Sequence, residues 1–515
     1  MPVRIDTASG SLEGLEARGV VSFKGIPYAA PPVGKLRWRP PEKVRAWAGA
    51  RPATAFGPSA PQLSPAGRLV RTLIGAGAAQ SEDCLSLNVW TPAPGGPPRP
   101  VLVWIHGGAF VMGSGSTRLY SGSRIARRGD LVVVTLNYRL GALGFLNARE
   151  LASGHELPAA NLGTLDQIAA LEWVRDHIED FGGDPEQVTL FGESAGAMSV
   201  GTLLGTPRAR GLFQRAILQS GAAHNVSSPA RATEVARVFL RELGLPSPDP
   251  DRLERIGLDE ILRAQSTTTQ RMGLVDGRLP WQPSVDGDLL ARTPLEAIAE
   301  GSSAHVPTLV GSNLDEWKLF MLGDRKGRSL DEEGWQRRLD RTLSLDLPDD
   351  ESRRRAVRRA HETYTGCEGE RAGVSPGERW CAFQSDRIFH YPATRLLEIQ
   401  SGAGAPVYAY RFDWRPPLVG GRIGACHGIE IPFVFGTLRD PWLRPVLGST
   451  RGARSLANRM QGAWIEFARS GRPGHPKLPD WPQYGDDRAT LTLGPRCELR
   501  MDWLSRERRF WETVS

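Results

Sequence analysis

The stretch "VTLFGESAGAMSVGTLL", Val188–Leu204, constrains the fold more than any other part of the chain. It opens on the β-branched and apolar run Val188, Thr189, Leu190, Phe191 and closes on a helix-like run, with Gly-Glu-Ser-Ala-Gly between them. A strand that turns directly into a helix leaves no room for a Cβ at the two flanking positions, here Gly192 and Gly196. The turn lifts the Ser194 hydroxyl above the C-terminal edge of the strand, and the helix N-terminus beneath it favours developing negative charge. The five-residue pattern alone is common by chance. The strand before it and the helix after it make Ser194 a candidate nucleophile rather than a serine in a tight turn.

The surrounding sequence alternates in the same way. Apolar runs at Val101–Ile105, Leu131–Asn137, Thr308–Val310 and Val407–Phe412 read as strands. Ile168, Leu171, Val174, Ile178 and Phe181, at steps of three and four, read as an amphipathic helix ended by Gly182 and Gly183. Continuous apolar strands separated by helices predict an α/β protein, its mostly parallel sheet covered by helices on both faces. Residues 58–80 and 91–100 read as loops, and 227–279 and 329–388 as helical insertions outside the sheet. No linker and no internal repeat divides the chain, so one domain over 1–515 is expected.

Bulk properties narrow the function. At 515 residues, 40% hydrophobic and 23% charged, the chain is ordinary for a globular protein. No run approaches the roughly 18 apolar residues a membrane span needs. The opening "MPVRIDTASG" has no signal-peptide core, so a soluble cytoplasmic protein is expected. The net charge of +7 raises nucleic acid as a partner. Against it, the basic residues are overwhelmingly Arg scattered among acids, and the densest cluster, "ESRRRAVRRAHE" (Glu351–Glu362), reads as one helix with a solvated face. Five cysteines, Cys84, Cys367, Cys381, Cys426 and Cys497, form no CxxC pair and no zinc-ligand spacing. An odd count without a signal peptide points to reduced thiols. Cys426 precedes His427 and raises Cys–His catalysis, but adjacent side chains diverge, which argues against it.

An acyl-transfer nucleophile needs donors for an oxyanion, a histidine base, and an acid that orients the base. "WIHGGAF" (Trp104–Phe110), after an early strand, supplies a glycine-rich backbone of the kind an oxyanion hole requires. The order expected on this fold is serine, acid, histidine. Of the nine histidines, His305, His361, His390, His427 and His475 lie far enough downstream.

Six blocks, "FKGIPYAAPPVGKLRWRPP", "SEDCLSLNVW", "NYRLGALGF", "FGGDPEQVTLFGESAG", "FQRAILQSG" and "HGIEIPFVFG", together resemble the type-B carboxylesterases, which include the cholinesterases. The resemblance covers nearly the whole chain. It implies an α/β-hydrolase fold whose helical insertions form the rim of an active-site gorge. "GSNLDEWKLF" is similar to the family's acid segment, which implies Glu316 as the triad acid with Asp315 as the competing choice. "ACHGIEIPFVFG" is similar to the histidine segment, which implies His427 as the base. By the same resemblance Gly108, Ala109 and Ala195 donate to the oxyanion, and Glu193 and Ser220 support the centre. His106 matches a structural position, and Arg37 with Glu82, and Arg139 with Asp166, match buried ion pairs.

The implied activity is hydrolysis of small-molecule carboxylic esters, of short to medium acyl chain, through an acyl-enzyme. No metal or organic cofactor is implied, and the assembly is a monomer or a homodimer. An amidase, thioesterase or carbamate hydrolase would use the same triad; a non-catalytic adhesion-type relative is disfavoured by the presence of Ser194. Two departures matter. Cys84 has no upstream cysteine to pair with, unlike secreted relatives, which implies a reduced, intracellular, bacterial-type enzyme. "RLVRTLIGAGAAQSEDC" holds no aromatic residue to offer a cation–π face, so choline esters are not expected substrates.

Overall fold

Val101–Ile105 and Val132–Leu136 are buried at every position, because the sheet they belong to is covered on both faces. The computed structural model describes residues 1–63, 79–94, 96–151, 159–245, 247–273, 279–347, 349–366, 373–441 and 450–514. Within them thirteen strands form one sheet: β1 (Pro2–Thr7), β2 (Gly10–Ala17), β3 (Val20–Pro27), β4 (Ala50–Pro52), β5 (Ser86–Thr91), β6 (Arg99–Ile105), β7 (Val132–Leu136), β8 (Gly183–Glu193), β9 (Arg215–Gln219), β10 (Thr308–Asn313), β11 (Val407–Phe412), β12 (Thr490–Leu493) and β13 (Cys497–Arg500). Their spatial order is β1-β2-β3-β5-β7-β6-β8-β9-β10-β11-β12-β13, with β4 beside β2. From β7 to β12 the pairing is parallel throughout.

Side chains alternate between the two faces, as the pleat requires. Val101, Val103 and Ile105 enter one core with Ile168, Leu171 and Val174 of the helix Leu162–His177 and with Val200 and Leu203 of the helix Ala195–Leu204. Leu102 and Trp104 enter the other, against Leu456, Met460, Trp464 and Phe467 of the helix Arg451–Ser470.

The structure departs from the sequence reading in places. The antiparallel strands β1, β2, β3 and β5 were not anticipated, because β1 and β2 expose half of their residues and lack a continuous apolar run. β6 starts at Arg99, inside a segment read as loop, and β10 continues past Val310 through the polar Ser312 and Asn313, both buried. The 227–279 and 329–388 stretches are helical and add no strand among the described residues. The second is more than a rim, however. It ends in the buried helix Pro376–Ser385 and the π-helical turn Asp386–His390, which packs beside the end of β10. Residues 64–78, 95, 246, 274–278, 348 and 367–372, which include Cys367, lie outside the described residues. Among those described, no helix is long and apolar enough to cross a membrane.

Two ion pairs pin loops in place, the first fastening the loop after β7 to the helix Leu162–His177. Arg139 meets both oxygens of Asp166, at 2.8 and 2.7 Å, with the side chains 4% and 0% exposed. Arg37 grips Glu82 in the same two-pronged way. Removing one partner of such a pair strands a buried charge, at a typical cost of about 3–5 kcal/mol. Arg139→Met is therefore expected to lower the apparent melting temperature more than the double variant Arg139→Met/Asp166→Leu, which removes both charges. Calorimetry of the three proteins checks the ranking.

Candidate active site

The sharp turn forms where β8 meets the helix Ala195–Leu204. Ser194 sits between them at φ 56°, ψ −126°, a conformation that L residues rarely adopt. Its neighbours explain why glycine flanks it. A Cβ on Gly196 would lie 2.0 Å from the Ile105 carbonyl oxygen, and one on Gly192 would lie 2.5 Å from the Gly196 backbone. From Val188 to Leu204 every residue is buried except Ser194. Its side chain makes no capping hydrogen bond to the helix that follows, and its N–H is held by the Gln219 carbonyl at 2.9 Å.

The loop after β6 crosses directly over this turn, since a Cβ on Gly107 would sit 2.9 Å from the Ser194 Cβ. Gly108, Ala109 and Phe110 all have positive φ, at 116°, 54° and 60°. Among the described residues, the N–H groups of Gly108, Ala109 and Ala195 donate to no protein acceptor. Three donors without partners beside a half-buried serine suit an anionic oxygen. His106 holds the loop: its Nδ1 lies 2.8 Å from the Gly107 carbonyl and its ring stacks on Tyr138 at 4.6 Å. Burial lowers its pKa to about 4, so it stays neutral.

β10 ends at Asn313, and the turn beyond it carries Glu316, fully buried. Glu316 Oε2 lies 2.7 Å from His427 Nδ1, and Oε1 accepts from the Asn313 N–H at 2.7 Å. Asp315 is turned elsewhere, to the Ala425 N–H at 2.9 Å and to Lys318 at 2.9 Å. His427 Nε2 lies 3.2 Å from Glu193 Oε1, without the alignment of a hydrogen bond. No hydrogen bond joins Ser194 Oγ to His427 Nε2; such catalytic contacts are often long until substrate tightens them. Phe389 and Phe320 pack against the imidazole, with ring centroids 4.7 and 5.4 Å away. Of the other downstream histidines, His361 accepts from the Trp335 indole and His390 pairs with Asp386. Ser220, at φ 53°, keeps its hydroxyl buried with no partner.

The sequence profile described as the carboxylesterase family matches residues 2–511. The chain is 38% identical to the para-nitrobenzyl esterase of Bacillus subtilis, over 98% of this chain and 97% of that one. It is 36% identical to the phenmedipham hydrolase of Pseudarthrobacter oxydans, over 95% and 94%. Its structure superposes on that of a Geobacillus stearothermophilus carboxylesterase with a TM-score of 0.85 and 40% identity, over 99% of both chains. The chain belongs to the carboxylesterase family. It is a carboxylic ester hydrolase with an α/β-hydrolase fold.

In this carboxylesterase three buried acids, Glu193, Glu316 and Glu430, gather at the site. Burial pushes Glu193 up to about 8, against the pull of His427 and with the push of Glu430 and Glu316. Burial also works against a charge on His427, but the carboxylates of Glu193 and Glu316 outweigh it and raise the imidazole to about 9. Groups this close share a proton, and the pair titrates as a unit. Glu430, in the block "HGIEIPFVFG", is fully buried and is a site residue that the sequence reading missed. It accepts from Gln219 at 3.0 Å and from Asn313 at 2.6 Å. An acid inside the apolar run Ile429–Val434 is the one sequence signal that could have found it. Asn313 and Gln219 carried no such signal. Burial pushes the Cys426 thiol up to about 12, which keeps it protonated and unreactive. Among the described residues no group of three or more His, Cys, Asp or Glu could hold a metal. Most of the segment free of aromatics before Cys84 lies outside the described residues.

Because the Glu193 carboxylate raises the His427 pKa, Glu193→Gln is expected to lower it. The histidine resonances of the two proteins, followed through a pH titration, read this directly. An unchanged midpoint would show that Glu193 holds no charge beside the ring.

Proposed function

We propose that Ser194 is the nucleophile, His427 the general base and Glu316 the acid that orients the base. The observation that carries the reading is the 2.7 Å contact between His427 Nδ1 and Glu316 Oε2, which leaves Nε2 on the side of Glu193, the residue before Ser194. Ser194 Oγ attacks the ester carbonyl while His427 Nε2 takes its proton. The negative charge that develops on the carbonyl oxygen is met by the N–H groups of Gly108, Ala109 and Ala195. His427 then hands its proton to the departing alkoxide as the C–O bond breaks, leaving an acyl-serine. Water deprotonated by His427 attacks the acyl carbon, and Ser194 leaves with the proton. Glu193 serves as a nearby store for the imidazole proton, 3.2 Å from Nε2. Ser220 supports the turn.

The preferred substrates are esters of short to medium acyl chain, and the Phe320 and Phe389 rings beside His427 favour aromatic or apolar groups at the reacting centre. The bacterial relative named for para-nitrobenzyl esters supports the same preference. Cys84, Cys426 and Cys497 are free thiols, which supports action in the cytoplasm. The whole chain works as one catalytic unit, since its sheet draws strands from Pro2 to Arg500. A p-nitrophenyl ester series of graded acyl length, run beside an anilide, separates esterase from amidase and sets the chain preference.

Ser194→Ala is expected to lose on the order of 10⁴–10⁶-fold in turnover with the fold intact. Wild-type protein, but not the variant, is expected to take up a fluorophosphonate on the Ser194 peptide, seen as a mass shift. A tenth of wild-type activity in pure Ser194→Ala would rule the serine out.

Glu316→Gln should cost about 10⁴-fold in kcat, as for other triad acids. Asp315→Asn should cost far less, because that carboxylate binds Lys318 and the Ala425 N–H instead. Steady-state kinetics on one ester decide between them, and the reverse ranking would transfer the acid role to Asp315.

A further inference from the structure

The proposed chemistry uses one histidine, yet a second is joined to Glu316 by a line of buried hydrogen bonds. His390 Nε2 lies 2.8 Å from the carbonyl oxygen of Asn313. The N–H of that same residue donates to Glu316 Oε1 at 2.7 Å. On the opposite edge of the ring, His390 Nδ1 lies 2.7 Å from Asp386 Oδ1. The other Asp386 oxygen accepts from the Tyr364 hydroxyl at 2.8 Å, and that hydroxyl accepts from the Trp511 indole N–H at 3.0 Å. The line thus runs from the helix Ser505–Trp511 to the carboxylate that holds His427.

The proton inventory is set by the partners. A carbonyl oxygen only accepts, so His390 Nε2 carries a hydrogen. The contact between Nδ1 and Asp386 Oδ1 needs one more hydrogen, on the ring or on the carboxyl. In either form the pair has no net charge, which suits side chains 0% and 1% exposed. A buried polar pair is seldom more stable than apolar side chains of the same volume, so packing alone does not account for it. Its place in the chain is telling. Asp386–His390 is a π-helical turn, an irregularity that recurs at functional sites. The turn presents Phe389 to the His427 ring at 4.7 Å and His390 to the backbone behind Glu316.

Asn313 is the junction. It is the last residue of β10, and its side-chain amide donates to the Cys426 carbonyl at 2.8 Å and to Glu430 at 2.6 Å. One residue therefore touches the acid through its N–H, the segment of the base through its amide, and His390 through its carbonyl. We infer that His390 is a positioning residue for ester hydrolysis: by anchoring the Asn313 carbonyl it fixes the N–H that holds Glu316 Oε1, so that Oε2 stays on His427. This rests on Glu316 being the triad acid. A displacement of about 1 Å at such a group costs on the order of 100-fold in rate, while leaving ground-state binding intact.

Two substitutions at one position separate anchoring from packing. In His390→Gln the amide nitrogen stands near Nε2 and donates to the Asn313 carbonyl. In His390→Asn the shorter amide stands near Nδ1, keeps Asp386 company, and abandons Asn313. Rates are expressed per active site titrated with a fluorophosphonate, so unfolded molecules do not count. His390→Asn is expected to lose about 10- to 100-fold in kcat at unchanged KM. His390→Gln is expected to stay within a few-fold of wild type. Equal losses in the two variants, or a wild-type kcat in His390→Asn, would overturn the inference.

Tyr364→Phe keeps the ring and removes only the hydroxyl that steadies Asp386. It is expected to lower kcat by about fivefold at unchanged KM. If neither His390 variant yields titratable sites, a wild-type kcat in Tyr364→Phe overturns the inference in their place. Glu316→Gln run alongside keeps the two readings apart. Full activity there would sink the acid assignment itself, whereas an inactive Glu316→Gln beside a normal His390→Asn would sink only the positioning role.

Discussion

Three backbone segments cross at Ser194 closer than side chains would allow, and the rest of the site depends on that crossing. A Cβ on Gly196 would meet the end of β6 at 2.0 Å, and one on Gly221 would meet the Ser194 carbonyl at 2.6 Å. With the side chains gone, the ends of β6, β8 and β9 and the first turn of the helix Ala195–Leu204 come together at one edge of the sheet. The price is a left-handed backbone at Ser194, Ala109 and Ser220, of order 1–3 kcal/mol each. A large sheet buried on both faces is what holds them there. The result is a serine partly open to solvent among buried neighbours, with unpartnered N–H groups beside it.

Acids gather where the strand ends meet. Glu193, Glu316 and Glu430 are all buried, an arrangement that is costly unless each carboxylate finds partners. Gln219 shows how the partners are shared. Its carbonyl holds the Ser194 N–H, its amide nitrogen donates to Glu430, and its amide oxygen accepts from Trp464. Asn313 does the same between Glu316, Glu430 and the Cys426 carbonyl. The turn of the proposed nucleophile, the acid turn and the histidine loop are thus linked through two neutral amides. Neutral linkers suit this place, because a further charge would have to be buried with the three acids.

Much of this was legible in the chain. The apolar runs of β6, β7 and β11 identified the parallel centre, since strands covered on both faces need no polar positions. Gly192, Ser194 and Gly196 marked the sharp turn, a matter of sterics between adjacent residues, and the block resemblance pointed to Glu316 and His427. The half-exposed strands β1 and β2 were missed, because neither burial nor alternation marks them strongly. Ser312 and Asn313 were missed as strand, because polar residues at a strand end look like the start of a loop.

The sequence by itself therefore determined the local geometry around Ser194 and the class of fold, because both follow from the sizes and apolar periods of residues near one another. Only the tertiary structure decided which acid faces which histidine. Glu316 and His427 are 111 residues apart, His390 and Asn313 are 77 apart, and Gln219 and Glu430 are 211 apart. A hydrogen bond depends on distance and angle at the few-ångström scale, and those are set by how the sheet stacks its strand ends. No spacing along the chain encodes them.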